Sequence, residues 1–432
     1  MIPQHLRGHA RLSSTVAIVA IALAAVLAVS ACSDTASSRV TNSVKVQTSA
    51  TPDISPVAQS SPLLSSPLLS SPVLSSSPAL TGSMPNLLPG MPAPLVANNV
   101  YAADAANDLS ATVIQDRALV YVPNSNSGTV SVIDQQTMAV IDSFPAGNEP
   151  QHVVPSYDLK TLYVTADISP GNGLTAVDPK TGKPVGHYPV IDPYNLYFTP
   201  DGKYGIVVAE YFKRLDYYDP HTWQLLDSQL LPTCDGIDHI DFSADGRTML
   251  ASCEFADRVA VIDVASHALI RFIALPQRSD GMPQDVKLSP DGKIFYVADM
   301  MANGVYEIDG AGLGVLGFIP TGQGTHGLYI DRTATRMFIT NRGEGTISVL
   351  DLASRSVVAK WSIPGGGSPD MGNISADGKI FWVSGRYNGV VYAISTDDGH
   401  VIKQIPVGAG PHGLCVWPQP GRYSLGHTGI LR

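Results

Sequence analysis

Residues 285–309 read DVKLSPDGKIFYVADMMANGVYEID, and this stretch contains the pattern that determines the fold. A short apolar run leads to Pro290-Asp-Gly, which is followed by a β-rich run ending at Asp299 and an alternating run from Gly304 to Asp309. Asp-Gly tolerates the positive φ that a tight hairpin requires, so the first two runs are predicted to pair as antiparallel strands. The stretch therefore predicts three consecutive strands of one antiparallel sheet.

The same pattern repeats along the chain with a regular period. One position begins the first strand of each repeat, and its successive occurrences lie 41 to 46 residues apart: His152, Asn195, His239, Asp285, His326, Asp370 and His412. Four short strands in 40–45 residues is the period of a propeller blade. Three strands precede His152 and one follows His412, so the two chain ends complete one shared blade. The sequence predicts an all-β, seven-bladed β-propeller over residues 111–420, closed by its N- and C-terminal strands.

Composition agrees with this fold class and excludes several functions. Gly (39) and Pro (33) are frequent while charged residues make up only 15%, which favours many turns and few solvated helices. The formal net charge of −10 argues against a nucleic-acid partner, because phosphate binding requires clustered cations. The sequence contains no C-x-x-C or C-x-x-C-H, which excludes zinc ribbons and covalently attached c-type haem at the motif level. A monomer is expected.

Residues 1–31 have the pattern of a secretory signal peptide. Basic residues precede an apolar run from Val16 to Val29, which is too short to span a bilayer. Val-Ser-Ala before Cys32 resembles the lipobox of bacterial lipoproteins, which implies that Cys32 is lipidated and holds the protein to the cell membrane on its extracytoplasmic side. An ordinary signal peptide with a chance cysteine, or an uncleaved anchor, remains the alternative.

Residues 32–110 are predicted to be a disordered Ser/Pro-rich stalk, because dense proline removes backbone donors and prevents regular structure. Its centre, residues 60–80, reads SSPLLSSPLLSSPVLSSSPAL. The C-terminal tail, residues 421–432, is predicted to be irregular. Its sequence is compatible both with a course packed under the ring and with a free end.

Three second strands carry a recognisable motif, Tyr163-VTAD, Tyr296-VAD and Phe338-ITN. Each is followed by a Gly-led strand that ends in Asp. The chain thereby resembles YVTN-repeat β-propeller proteins and, more loosely, the haem d1 propeller of cytochrome cd1 nitrite reductases. The resemblance implies the fold and leaves the function open. The missing C-x-x-C-H argues against a complete nitrite reductase.

The repeated polar position defines the candidate site. The innermost strand of each blade lines the channel, so these side chains should meet at one channel mouth. One interpretation is a metal site or a haem-like macrocycle, since imidazole suits Zn, Cu, Fe or Ni. The candidate metal ligands are His152, His239, His326 and His412. Asn195, Asp285 and Asp370 would complete the cofactor-binding ring. The alternative is a wet channel in which the polar groups satisfy water and strand ends.

Further residues are expected at the same face. Arg342 and Arg386 follow second strands and would bind ligand carboxylates or, alternatively, pair with acids of neighbouring blades. Cys234 and Cys253 are candidates for a disulfide bond. The leading functional hypothesis is a binding module for a small ligand, cofactor or protein. A haem d1-like or metal-dependent oxidoreductase and a lactonase-like hydrolase are the alternatives, so enzymatic activity is left undecided.

Overall fold

The computed structural model describes residues 86–168 and 172–432. The chain divides into two units, Met1–Ser75 and Ser76–Arg432, and the first lies outside the described residues. The predicted signal peptide, Cys32 and most of the predicted stalk therefore also lie outside them. In the described part of the chain, no helix has the length and apolar character needed to cross a bilayer.

The described strands, numbered β1 to β28 in chain order, form seven four-stranded antiparallel sheets, one per blade. Blade 1 contains β1 (Leu119–Asn124), β2 (Thr129–Asp134), β3 (Ala139–Pro145) and β28 (Cys415–Trp417). Blade 2 contains β4 (Asn148–Pro155), β5 (Leu162–Ile168), β6 (Gly173–Asp178) and β7 (Lys183–Tyr188). Blade 3 contains β8 (Pro193–Phe198), β9 (Gly205–Ala209), β10 (Arg214–Tyr218) and β11 (Leu225–Leu230). Blade 4 contains β12 (Ile237–Phe242), β13 (Thr248–Cys253), β14 (Arg258–Asp263) and β15 (Leu269–Ala274).

The remaining three blades have the same order. Blade 5 contains β16 (Pro283–Leu288), β17 (Ile294–Asp299), β18 (Gly304–Asp309) and β19 (Val315–Pro320). Blade 6 contains β20 (Thr325–Ile330), β21 (Arg336–Asn341), β22 (Thr346–Asp351) and β23 (Ser356–Ser362). Blade 7 contains β24 (Pro369–Ile374), β25 (Ile380–Gly385), β26 (Val390–Ser395) and β27 (Val401–Pro406). Short 3₁₀ helices cover Ala102–Asp104 and Ser125–Ser127.

The two ends of the propeller meet in blade 1. Strand β28 pairs antiparallel with β1, with Leu119 opposite Trp417 and Tyr121 opposite Cys415. The innermost strands β4, β8, β12, β16, β20, β24 and β28 each contact the next strand around the ring. Closure gives blade 1 its fourth strand and completes the ring of seven blades. The predicted seven-bladed propeller and its closure by the chain ends are confirmed.

The hairpin turns after the innermost strands use the predicted Asp-Gly pairs. Gly292 has φ +72° and Gly246 has φ +71°, values that a residue with a Cβ adopts only under strain. A Cβ at Gly292 would also lie 2.6 Å from the Cβ of Ala244 in the preceding blade. Glycine is thus required both by the turn and by the close approach of neighbouring blades.

Buried side chains connect neighbouring innermost strands through hydrogen bonds from backbone N–H groups. The donors and acceptors are Ile240 N to Tyr197 Oη at 3.0 Å, Leu288 N to Asp241 Oδ2 at 2.7 Å, Leu328 N to Asp285 Oδ2 at 2.8 Å, and Gly372 N to Tyr329 Oη at 2.7 Å. Backbone donors that face the channel would otherwise lack partners, and an unpaired buried donor is costly. These side chains therefore hold adjacent blades in register.

Residues 86–110 correct the predicted limits of the stalk. The segment crosses the turns of three blades, where Leu88 N donates to Asp245 O, Val100 N to Pro290 O, and Asn107 N to Ala376 O, each at 2.8 Å. Leu88, Met91, Val100 and Tyr101 are buried. The Ser-Pro repeat has ended before this segment, and its apolar side chains have enough surface to bury against the propeller.

The C-terminal tail is buried inside the channel. Leu425 N donates to Ile430 O at 2.7 Å, which closes a hairpin. Phe198 N of β8 donates to Leu425 O at 3.0 Å, Arg432 Nη2 donates to Asp241 Oδ1 of β12 at 2.8 Å, and Asn373 Nδ2 of β24 donates to Thr428 O at 2.8 Å. Contacts with innermost strands of three separate blades place this hairpin within the channel. Of the two courses left open by the sequence, the tail takes the packed one.

Candidate functional site

Five imidazole rings lie together in the channel. They belong to His152, His239, His326, His412 and His427, and each is buried. Their ring centroids are 4.6 Å apart for His239 and His427, 4.8 Å for His152 and His412, and 6.4 Å for His326 and His412. The repeated position therefore brings its histidines to one place, as the propeller geometry predicts.

His427 was missed by the sequence analysis. It lies on the C-terminal hairpin, outside the repeat whose period identified the other four histidines. The hairpin brings it into the channel, and its backbone N–H donates to Leu196 O of β8 at 2.8 Å. A usable signal was the apolar content of the tail, with Leu425, Ile430 and Leu431, because a free tail gains nothing from these residues.

His152, His239 and His427, named here the histidine trio, offer one ring nitrogen each within 4.8 Å of the others. Zn–N bonds are about 2.0–2.1 Å long, so nitrogens that share one ion lie no more than about 4.2 Å apart, and the three rings need at most a small shift to bind one ion together. The structure thus regroups the predicted ligands. His152 and His239 join His427, while His326 and His412 form a second group with Asp370.

A backbone carbonyl orients the first ring of the trio. His152 Nδ1 lies 2.9 Å from Tyr194 O, and since a carbonyl can only accept, Nδ1 carries the proton and donates. The lone pair is then on Nε2, which is buried and has no hydrogen-bond partner among the described residues. A histidine that donates one N–H to a carbonyl and presents the other nitrogen is the usual arrangement of a metal ligand.

Asn195 orients the other two rings. Its Oδ1 accepts a hydrogen bond from Leu196 N at 2.8 Å, so its amide NH₂ group faces His239 Nδ1 at 3.2 Å and His427 Nδ1 at 3.1 Å. Both Nδ1 atoms therefore act as acceptors. The Nε2 atom of His239 carries its proton and lies 3.2 Å from Asp238 Oδ1. A carboxylate beside the Nε2 atom of a histidine raises the basicity of its Nδ1 atom.

Burial keeps the imidazoles uncharged. It lowers the pKa of His152 to about 4, with the nearby Arg386 acting in the same direction and the Tyr194 carbonyl opposing it. The pKa values of His239 and His427 are also lowered well below the ordinary value by burial and by the neighbouring histidines. Neutral imidazoles are the form that binds metal ions.

The second group is centred on Asp370. His326 Nδ1 lies 3.4 Å from Asp370 Oδ1 and His412 Nε2 lies 3.6 Å from Oδ2. Arg342 Nη1 donates to Oδ1 at 2.9 Å, and Arg386 Nε lies 3.9 Å from Oδ2. Two guanidinium groups compensate this carboxylate, so the second group attracts a cation less than the trio does.

The other predicted site residues have separate roles in the structure. Asp285 accepts a hydrogen bond from the backbone N–H of Leu328 in the neighbouring blade, so its role is to hold strand β20 next to β16. Burial raises the pKa of its carboxyl to about 6. Arg342 pairs with Asp370 of the next blade. This is the pairing between neighbouring blades that the sequence analysis gave as the alternative to binding a ligand. Arg386 donates to Ser125 Oγ at 3.2 Å.

Charge is divided unevenly around the channel mouth. The acids Asp167, Glu210 and Glu254 stand at the ends of β5, β9 and β13 in three consecutive blades, and we name them with Asp238 the acidic half of the rim. Arg342 and Arg386 follow β21 and β25 on two other consecutive blades. The repeat thus places opposite charges at equivalent positions of different blades.

A disulfide bond lies beside the acidic half. Cys234 and Cys253 are bonded, with their Cα atoms 4.8 Å apart. The bond joins the residues just before β12 to the end of β13, next to Glu254. It fixes the segment that leads into Asp238 and His239. Cys415 is buried and free, and burial raises the pKa of its thiol.

Comparison with known proteins agrees with the fold. Residues 110–420 match the family model described as a YNCE-like beta-propeller. The comparison with curated proteins finds no match. Among solved structures, the chain is similar to a Kuenenia stuttgartiensis hydrazine synthase chain, with 21% identity, a TM-score of 0.56, and coverage of 65% of this chain and 93% of that chain.

Two further solved structures have activities named in their descriptions. A dihydro-haem d1 dehydrogenase has 17% identity and a TM-score of 0.53, with coverage of 75% of this chain and 78% of that chain. A chain from Bacteroides uniformis, assigned provisionally as a 6-phosphogluconolactonase, has 19% identity and a TM-score of 0.55, with coverage of 69% of this chain and 99% of that chain. At these identities the likeness shows a shared fold and transfers no activity.

Proposed function

We propose that this chain, which belongs to the YNCE-like β-propeller family, binds a first-row transition-metal ion in its channel through His152, His239 and His427. The observation that carries the proposal is the convergence of three neutral, buried imidazoles within 4.8 Å. Imidazole nitrogens favour Zn and Cu among the available divalent metals. Three protein ligands leave a fourth position open for water or an exogenous ligand.

The orientation of the rings supports a metal role over a purely structural one. His152 donates from Nδ1 to a backbone carbonyl, and His239 has its Nε2 atom 3.2 Å from the Asp238 carboxylate. The amide of Asn195 occupies the two Nδ1 acceptors. A metal ion that binds these two nitrogens must displace the Asn195 amide. We infer that the uncharged amide holds the two rings in position until the ion binds.

The macrocycle and hydrolase alternatives have less support. The imidazoles contact one another at centroid distances of 4.6 to 6.4 Å, which leaves no space for a planar macrocycle among them. The haem d1 and lactonase alternatives otherwise depend on fold likeness, which does not determine function. A metal-binding module is therefore the function with the most direct support from the side chains.

Metal titration of the intact protein tests the proposal. After dialysis against a chelator, we expect the chain to take up close to one equivalent of Zn²⁺ or Cu²⁺ with a dissociation constant below about 1 µM, since multi-imidazole sites bind tightly. Isothermal titration calorimetry and elemental analysis after desalting measure this uptake. If neither metal is retained, the histidines form a structural network held by Asn195 and the proposal fails.

We also propose that lipidated Cys32 holds the propeller at the extracytoplasmic face of a membrane. The support is the signal pattern of residues 1–31 and the oxidised Cys234–Cys253 pair, because disulfides persist outside the cytoplasm. Replacing Cys32 by alanine should move the protein from the membrane fraction to the soluble fraction. Fractionation and immunoblotting of Cys32→Ala and of the adjacent control Ser33→Ala measure this. A Cys32→Ala variant that stays with the membrane contradicts lipidation as the anchor.

A further inference from the structure

We infer that the acidic half of the rim is the access route by which the metal cation reaches the histidine trio. This inference rests on the proposed function, because it requires a cation to be bound at the trio. It assigns a role to the carboxyl groups of Asp167, Glu210 and Glu254, which the metal ligation does not explain, and adds a second role for Asp238 to its contact with His239.

The carboxyl groups lead from the surface to the trio with increasing burial. Tyr211 and Phe255 mark the outer end and are 82% and 57% exposed. Glu210 and Glu254, one residue earlier in each loop, are half-buried. Asp238 follows at 1% exposure, and its Oδ1 lies 3.2 Å from His239 Nε2. The inner end of the series therefore touches the trio.

Among the described residues, these carboxyl groups form no ion pair with Lys or Arg, and the partners of Asp167 and Glu254 are the neutral amides of Gln151 at 3.2 Å and Gln284 at 3.0 Å. Both oxygens of Asp238 are buried and have no hydrogen-bond partner among the described residues. Burial and neighbouring acids raise the pKa of Glu210 to about 8, and Glu254, Asp167 and Asp192 are among those neighbours. Such a cluster gains free energy when a cation enters it.

The arginine half of the rim provides the contrast. Arg342 is bonded to Asp370, and Arg386 lies 3.9 Å from the same carboxylate. A cation approaching on that side meets positive charge, whereas on the acidic side it meets oxygen ligands. The division of charge therefore selects one side of the mouth for cations.

The acids form a route and not a second tight site. Within residues 86–168 and 172–432, the groups that bring three ligand atoms within 4.8 Å are the trio and the His326, Asp370 and His412 group, and neither includes a member of the acidic half. Carboxylates also hold Zn and Cu less strongly than imidazoles do. A cation would pass along the acids and come to rest on the trio.

Stopped-flow kinetics of Zn²⁺ binding to the full chain tests the route. At pH 8, where Glu210 is about half ionised, we expect the double variant Glu210→Gln/Glu254→Gln to bind Zn²⁺ about 10-fold more slowly than the unmodified protein, at the low end of electrostatic steering effects. The equilibrium dissociation constant should change by less than about 2-fold, because the route contributes equally to association and dissociation. The matched control Asp142→Asn/Asp398→Asn removes two carboxylates from outer strands and turns and should leave the rate unchanged.

The outcomes separate the two proposals. If the unmodified protein binds no Zn²⁺, the metal function fails before the route is at issue. If Zn²⁺ binds and the double variant associates at the unmodified rate, the route is wrong while the metal site stands. If the double variant loses equilibrium affinity by more than about 10-fold, the glutamates are ligands and the route is likewise overturned. An equal slowing in the control would attribute the effect to net charge and would also overturn it.

Discussion

Replacing His239 by alanine should lower the affinity for Zn²⁺ or Cu²⁺ by well over 100-fold, more than the 10- to 100-fold typical of losing an outer-shell partner. His239 is one of the three histidines that offer a ring nitrogen within 4.8 Å of the others, and its loss leaves only two protein ligands where zinc sites with an open position have three. His152→Ala and His427→Ala should have effects of similar size. Competition with a chromophoric chelator measures each affinity.

Two controls accompany this prediction. His187→Ala removes an exposed histidine of β7 and should leave the affinity unchanged. Since alanine at a buried position leaves a cavity, His239→Gln serves as a better-filled replacement, and circular dichroism shows whether each variant is folded. The trio is the wrong group if His326→Ala and His412→Ala abolish binding while His427→Ala does not.

Much of this site could be predicted from the sequence, because in a propeller residues that recur with the period of the blades occupy equivalent positions around the channel. A residue that recurs at the start of every innermost strand must come to one mouth of the channel once the chain closes. The regular spacing therefore predicted that His152, His239, His326 and His412 lie together, and the structure brings their rings to within a few ångströms of one another. The spacing could not predict which of them share a ligand position, because that depends on side-chain rotamers.

What the sequence analysis missed lies outside the repeat. His427 and residues 86–110 belong to segments without a period, so no register relates them to the channel. Both are held by contacts distant in sequence, such as Tyr101 Oη donating to Leu288 O at 2.9 Å. The sequence also could not show whether Arg342 binds a ligand or forms an ion pair with Asp370, because the ion pair depends on the distance between two neighbouring blades.

Replacing Arg432 by methionine should lower the free energy of unfolding by about 3–5 kcal/mol, as breaking a buried ion pair generally does. Arg432 is 2% exposed and donates to Asp241 Oδ1 at 2.8 Å and to Phe242 O at 3.2 Å. Its guanidinium group also lies over the ring of Tyr101, 5.4 Å from the centroid. Without Arg432, the fully buried Asp241 carboxylate loses its cation. Urea denaturation followed by tryptophan fluorescence measures the change.

This ion pair joins three parts of the structure, because Asp241 lies on β12, Tyr101 on the N-terminal segment and Arg432 on the hairpin that carries His427. Loosening the hairpin should therefore also weaken metal binding, although Arg432 touches no member of the trio. The double variant Arg432→Met/Asp241→Asn should recover part of the lost stability, since the uncompensated charge is then removed. Lys203→Met is the control and should cost less than about 1 kcal/mol, because the Lys203 side chain is 61% exposed and its partner Asp201 keeps hydrogen bonds from Thr199 Oγ1 and the backbone N–H of residue 203. If Arg432→Met costs no more than Lys203→Met, the hairpin is held by its apolar contacts and the ion pair does not anchor it.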